Sequence, residues 1–295
     1  MKKFIFICLF VFGSLSVCQS QEWMTSLEVA KSLAYVQDKL LFVVWEDVAF
    51  QEYPVLVKND EGEVVVNDLF KNETINEVVW EQFVPVIVNE HNYEKLFNDI
   101  KGKRDQLYID KFNDDTIKIM DVNGNIINTT IVYYDYLDIA KFIFKYALNT
   151  SFLKAELGNY RGQKDFNTTY RLATKYIDFA ILVKEDVRPE IVKLSSYYLK
   201  EAEDFISNDN SEKFKQKIDL QKIKQLLVLG KPKKVLRQLK RKDMSKLDDT
   251  NKAVVAFLYY TSYLLLKDEN RASEWRSKVS LVNLKKANLI LNNKS

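Results

Sequence analysis

His91, in the stretch VNEHNY, is the only imidazole in the chain, and any acid–base or metal chemistry that needs one must use it. A triad would require a framed nucleophile, yet no Gly-x-Ser-x-Gly and no oxyanion loop accompanies Ser26 or any other serine. His91 is therefore predicted to be an ordinary surface residue at a strand end. One histidine, with no cysteine beyond Cys18, leaves only carboxylates as ligands and argues against a zinc site. The segment DVNGN (Asp121 to Asn125) resembles part of a calcium loop, but it lacks the remaining ligands and the closing glutamate. It reads better as a hairpin turn. None of the seven glycines cluster into a phosphate-cradling loop. No cofactor and no metal are predicted.

Charge is the uneven feature. From Lys213 to Lys246 there are thirteen basic residues against two acidic ones, Asp219 and Asp243. Within that stretch Lys231, Lys233, Lys234, Arg237, Lys240 and Arg241 are candidates for contact with an anionic lipid, glycan or acidic protein face. The plainer expectation is a solvated helix face whose charge is offset by acidic residues elsewhere. Aromatic stacking platforms are not interleaved, so nucleic acid is not predicted. Under either reading Ile218, Ile223, Leu226, Leu227, Val235, Leu236 and Leu239 should point inward.

The elements that must position these residues begin after a targeting segment. Lys2-Lys3, then FIFICLFVF (Phe4 to Phe12), then Gly13-Ser14 form the three parts of a signal peptide over residues 1–20, with cleavage expected before Gln21. The apolar run is too short to span a bilayer, and no later segment is long and uncharged enough, so no transmembrane helix is predicted in the mature chain. The expected location is periplasmic or extracellular. LSVC (Leu15 to Cys18) offers an alternative, a rough lipobox with lipid anchoring at Cys18, although Val17 is larger than the usual residue there. Both cysteines, Cys8 and Cys18, lie in this segment, so a chain cleaved before Gln21 keeps no thiol. Removing Lys2 and Lys3 takes the net charge from +3 to +1, which leaves the mature chain nearly neutral.

At 295 residues the chain is long enough for two domains, each with its own core. In the first, residues 21–149, Thr25-x-x-Glu28 predicts a capping box and a helix with Leu27, Ala30, Leu33 and Ala34 on one face. KLLFVVWE (Lys39 to Glu46) and FVPVIVN (Phe83 to Asn89) predict buried strands, and Tyr53 to Asp68 a hairpin around NDEG. Helices are expected near Ile75 to Gln82, Tyr93 to Ile100 and Tyr134 to Leu148. Asp115 to Val132 predicts two strands joined by a type I′ turn at Asn123-Gly124. In the second, residues 150–295, helices are expected to start near Asn167, Pro189, Ser211, Pro232, Asp249 and Asn270, with Gly230 stopping the third. Their spacing suggests helix pairs stacked as repeats. Ala253 to Leu266 is apolar nearly all round and should be the buried centre of this domain.

Trp23, SLEVAKSLA, Lys39, LLFVVWE, FVPVIVN and IKIMDVNGNII together resemble the thioredoxin-like proteins of the bacterial cell envelope over about residues 22 to 149. The resemblance implies a cysteine pair just after Trp45, where this chain reads EDVAFQEYP, and a cis-proline before TIKIMD, where it reads NDD. Both are missing, and thiol exchange needs a thiolate. The expected class is an α/β thioredoxin-like domain followed by an all-α helical, TPR-like domain. The expected role is a non-catalytic envelope scaffold for a protein or peptide, with Trp45, Glu46 and Phe50 at the vacated site and the basic face as binding candidates. The alternative is an enzyme of unrecognised chemistry using Glu46, Asp47 and Glu52. A third reading is a redox-inert partner that holds a substrate for a separate thiol oxidoreductase.

Overall fold

The computed structural model describes residues 22–59, 61–130, 135–206 and 211–293. The predicted leader with Cys8 and Cys18, the cleavage position, part of the loop before Ser211 and the end of the Asp115 to Val132 stretch lie outside the described residues. The molecule is a mixed α/β region with two three-stranded sheets, followed by a helical region.

Strand β1 (Leu40–Trp45) is buried along its whole length because both of its faces are covered. It pairs in parallel with β4 (Phe83–Val88) and antiparallel with the short β5 (Lys118–Met120). Helix α1 (Leu27–Gln37) lays Leu27, Ala30 and Ala34 against this sheet, and the two alanines allow close approach. Its cap is Ser26, whose hydroxyl accepts from the Val29 amide, so the predicted Thr25 box is displaced by one residue. Trp23 donates to Asn76 at 2.7 Å and Lys39 donates to the Trp80 carbonyl at 2.9 Å, so both polar tips are satisfied on α3 (Glu73–Gln82).

A short helix α2 (Glu46–Ala49) leaves the end of β1 directly. The predicted hairpin forms as β2 (Pro54–Lys58) and β3 (Val64–Asp68), and β6 (Leu137–Asp138) adds to β2 in parallel. Helices α4 (Tyr93–Ile100) and α6 (Ile139–Tyr146) were expected, although α6 starts late because Asp138 ends β6 and caps the helix. Helix α5 (Gln106–Asn113), capped by Asp105, was not read from the sequence.

The segment after β5 departs from its prediction. Gly124 alone takes a positive φ (88°), so the turn is not type I′. The Asp121 carboxylate organises it, accepting from the amides of Asn123 (3.0 Å) and Asn125 (2.8 Å). The second strand reduces to a single bridge, Met120 to Ile126. Asn128 replaces the ladder beyond it, accepting from the Ile119 amide and donating to the Ile117 carbonyl.

The helical region runs α7 (Lys154–Gly162), α8 (Phe166–Leu182), α9 (Arg188–Asp204), α10 (Ser211–Val228), α11 (Pro232–Leu239), α12 (Lys252–Leu265), α13 (Glu269–Arg276) and α14 (Leu281–Asn292). Asp165, in a capping box with Thr168, starts α8 in place of Asn167, and Asp268 starts α13 in place of Asn270. A 3-10 turn occupies Asp249–Asn251, and Gly230 (φ 71°) ends α10 as expected. Helices α7 and α14 interrupt the predicted rhythm of pairs. The α12 stretch Val255 to Tyr263 is buried, as its composition required. Asp178 on α8, itself buried, bonds Lys224 of α10 at 2.5 Å and Lys286 of α14 at 2.7 Å.

Buried residues of both regions form one contiguous cluster, stitched at the seam by Tyr108 against Tyr197 and by Lys145 to Glu190 at 2.9 Å. No helix among the described residues is long and apolar enough to cross a membrane.

Candidate functional site

The end of β1, where a vacated active site was expected, is packed shut. Trp45 is buried, its indole N–H donates to the Phe112 carbonyl at 2.9 Å, and Tyr93 and Phe112 close on its ring edgewise. It belongs to the core and offers no accessible binding face, a correction to its expected role. Across the sheet Lys118 lies opposite Val43, fully buried, with its ammonium 5.1 Å from the Trp45 ring centre. Its charge is met by the Asp114 carboxylate (3.1 Å) and by the carbonyls of Thr116 (2.8 Å) and Asp114. Burial still dominates, and the amine is pushed down to about 8. Lys111, also buried, shares Asp114 with it and is likewise lowered by burial. Sequence reading missed this pair, since a lysine inside an alternating strand pattern reads as solvent-facing.

The remaining candidates of that end separate. Glu46, half-buried, accepts from the Asn89 amide at 2.5 Å. Phe50 is 80% exposed and stands away from Trp45's cluster. Asp47 and Glu90 are exposed neighbours, and the hydrogen bond they share raises Glu90 above its ordinary value. Glu52 sits apart in an exposed ion pair with Lys71 at 3.1 Å. His91 is exposed at the end of β4, as predicted. Among the described residues, no three His, Cys, Asp or Glu side chains are grouped to hold a metal ion.

The basic stretch splits in two. Five of its lysines reach carboxylates: Lys213 to Asp248, Lys222 to Glu203, Lys224 to Asp178, Lys242 to Asp219 and Lys246 to Asp243. On and beside α11 the pattern reverses. Pro232, Val235, Leu236 and Leu239 are buried, while Lys231, Lys233, Lys234, Arg237, Lys240 and Arg241 are all exposed. None of these six makes an ion pair or a side-chain hydrogen bond among the described residues. The expectation of charge offset elsewhere holds for the α10 lysines named above and fails for α11. Three of the cations also crowd the helix N-terminus, where the backbone dipole repels positive charge.

A third place was not predicted. At the seam the buried Asp121 carboxylate accepts from Tyr176 of α8 at 3.1 Å and from Tyr198 of α9, in addition to its two backbone amides. No cation pairs with it among the described residues. Burial raises both phenols well above their ordinary range, and the nearby Asp121 charge adds to this, which keeps them as donors. Beside this network a cavity of about 560 Å³ opens between α1, α4 and the Gly124 turn on one side and α7 and α9 on the other. Compared with known proteins, the chain matches no family model, no curated protein and no solved structure.

Proposed function

We propose that the chain is an exported, non-catalytic scaffold of the cell envelope that holds an acidic protein or peptide on the exposed face of α11. The observation that carries this reading is the set of six cations on and beside one short helix that make no ion pair among the described residues, next to a helix on which three of five lysines are paired. Crowding like charges on two turns costs stability, and an acidic partner offsets that cost. Export rests on the leader pattern of residues 1–20, with lipid anchoring at Cys18 as the alternative.

A thioredoxin-like reading of the α/β region gains support from β1 flanked by parallel β4 and antiparallel β5, with α1 leading into β1. The repeat-like, TPR-like reading of the helical region draws on the extensive α8–α9 pair. The enzyme alternative draws little from Glu46, Asp47 and Glu52, because Asp47 and Glu52 are exposed and Glu52 is apart from the other two.

The test is crosslinking in intact cells of the full chain against the charge-reversed Lys233→Glu, Lys234→Glu, Arg237→Glu, Lys240→Glu chain. The reading expects a reproducible acidic partner that is lost on reversal and weakened by high salt. Identical partners for both chains would remove α11 from the function. Binding to anionic vesicles in the absence of any protein partner would assign the face to lipid instead.

A further inference from the structure

The seam cavity has two unlike walls. Leu96 and Ile100 of α4, with Leu27 of α1, supply an apolar one. Helix α4 has hydrophobic residues on one face, yet none of its eight residues is buried. Tyr93, Leu96, Phe97 and Ile100 all pack against the core and stay half-exposed, and Leu96 and Ile100 border the cavity. An amphipathic helix normally gains its stability by covering that face.

The other wall is cationic. Arg104 bonds the Asn125 side-chain oxygen at 2.8 Å and lies over the Tyr197 ring at 4.7 Å, but no carboxylate meets it. Its Nε is buried with no hydrogen-bond partner, which is costly for a charged donor. Around it at the mouth stand Lys103, Lys164 and Lys200, exposed and without a carboxylate partner among the described residues. Asp99, Glu201 and Asp204 also border the cavity, so the excess charge is moderate and positive. Glu201 is occupied in accepting from Tyr160 at 2.8 Å.

We infer that this cavity binds a small amphiphilic organic anion, with its apolar body on Leu27, Leu96 and Ile100 and its anionic head at Arg104. At about 560 Å³ the space falls within the range of small-molecule sites, roughly 300–1,000 Å³. An anionic head would meet the charge of the Arg104 guanidinium, which pairs with no carboxylate among the described residues, and the body would lie against the half-exposed Leu96 and Ile100. This inference is independent of the α11 reading, since the two sites share no residue.

Titration calorimetry of the full chain with four probes tests it: octanoate, octyl phosphate, 1-octanol and acetate. Saturable binding of octanoate or octyl phosphate is expected, with 1-octanol and acetate binding far more weakly, and the tighter of the first two names the head group. Arg104→Gln should weaken binding by about tenfold or more, the loss of a charged hydrogen bond. Arg104 also packs on tyrosines, so the Lys103→Ser, Lys164→Ser, Lys200→Ser chain provides a second variant that alters only exposed side chains; it should weaken binding severalfold. Octanol binding as tightly as octanoate, neither anion binding, or wild-type affinity in both variants would overturn the proposal.

Discussion

At one end of β1, Trp45 is sealed between Tyr93 and Phe112, and a buried lysine lies under its ring. At the other end, where Leu41 faces Met120, the chain leaves about 560 Å³ open between its two regions. Aromatic packing and a desolvated ammonium fill the closed end. The open end depends on residues from both regions: the Gly124 turn and α4 on one side, α7 and α9 on the other. The α/β region's own side chains fill the first place, whereas the second is walled by residues of both regions.

The largest blow to this contrast would come at the closed end. Trp45→Ala is expected to destabilise the chain by roughly 3–5 kcal/mol, the range for removing a buried large aromatic. Chemical denaturation reads it, and a cost below about 1 kcal/mol would mean the end is not a packed core.

Lys118→Met sharpens the contrast through pH. The folded amine sits at about 8 against an ordinary 10.5, so between these values the unfolded chain binds more protons. Stability from this group is present above 10.5 and is lost as pH falls through 8. Wild-type stability, measured against the methionine variant, should therefore climb by about 3 kcal/mol from the lower value to the upper. Parallel stability curves for the two proteins would show that Lys118 is not desolvated.

At the open end, Gly124 adopts φ 88° and a Cβ there would meet Lys31 Cε at 2.9 Å. Gly124→Ala should cost on the order of 1 kcal/mol and shift the lysine that borders the cavity. Equal stability would show that the turn relaxes freely. The smallest effect belongs to Phe50→Ser, expected within about 0.5 kcal/mol because the ring is exposed. A large loss there would mean the Trp45 cluster extends further than its contacts indicate.

Much of the frame was legible in the sequence because its signals are local. Continuous apolar runs gave β1 and β4, NDEG gave the hairpin, and composition gave the buried α12. Helix α5 was missed because it is only eight residues long, and its cap, Asp105, looked like one more loop carboxylate. The turn at Asn123-Gly124 was misassigned because the dipeptide rule ignores Asp121, whose carboxylate is fixed by tyrosines 55 and 77 residues away.

By itself the sequence determined that no thiol lies beyond Cys18 and that one histidine is present, and it showed where the main strands and helices run through the apolar runs, alternation and capping that set β1, β2, β3, β4 and most helices. Those facts depend on residue type and near neighbours, whose interactions reach only a few positions along the chain. Tertiary structure alone decided which lysines are neutralised, because Lys286 finds Asp178 108 residues away while the α11 cations meet no carboxylate among the described residues. It likewise decided that Trp45 is core and that the seam is open. Burial and pairing are properties of the docked regions, and one short-range pattern is compatible with either outcome.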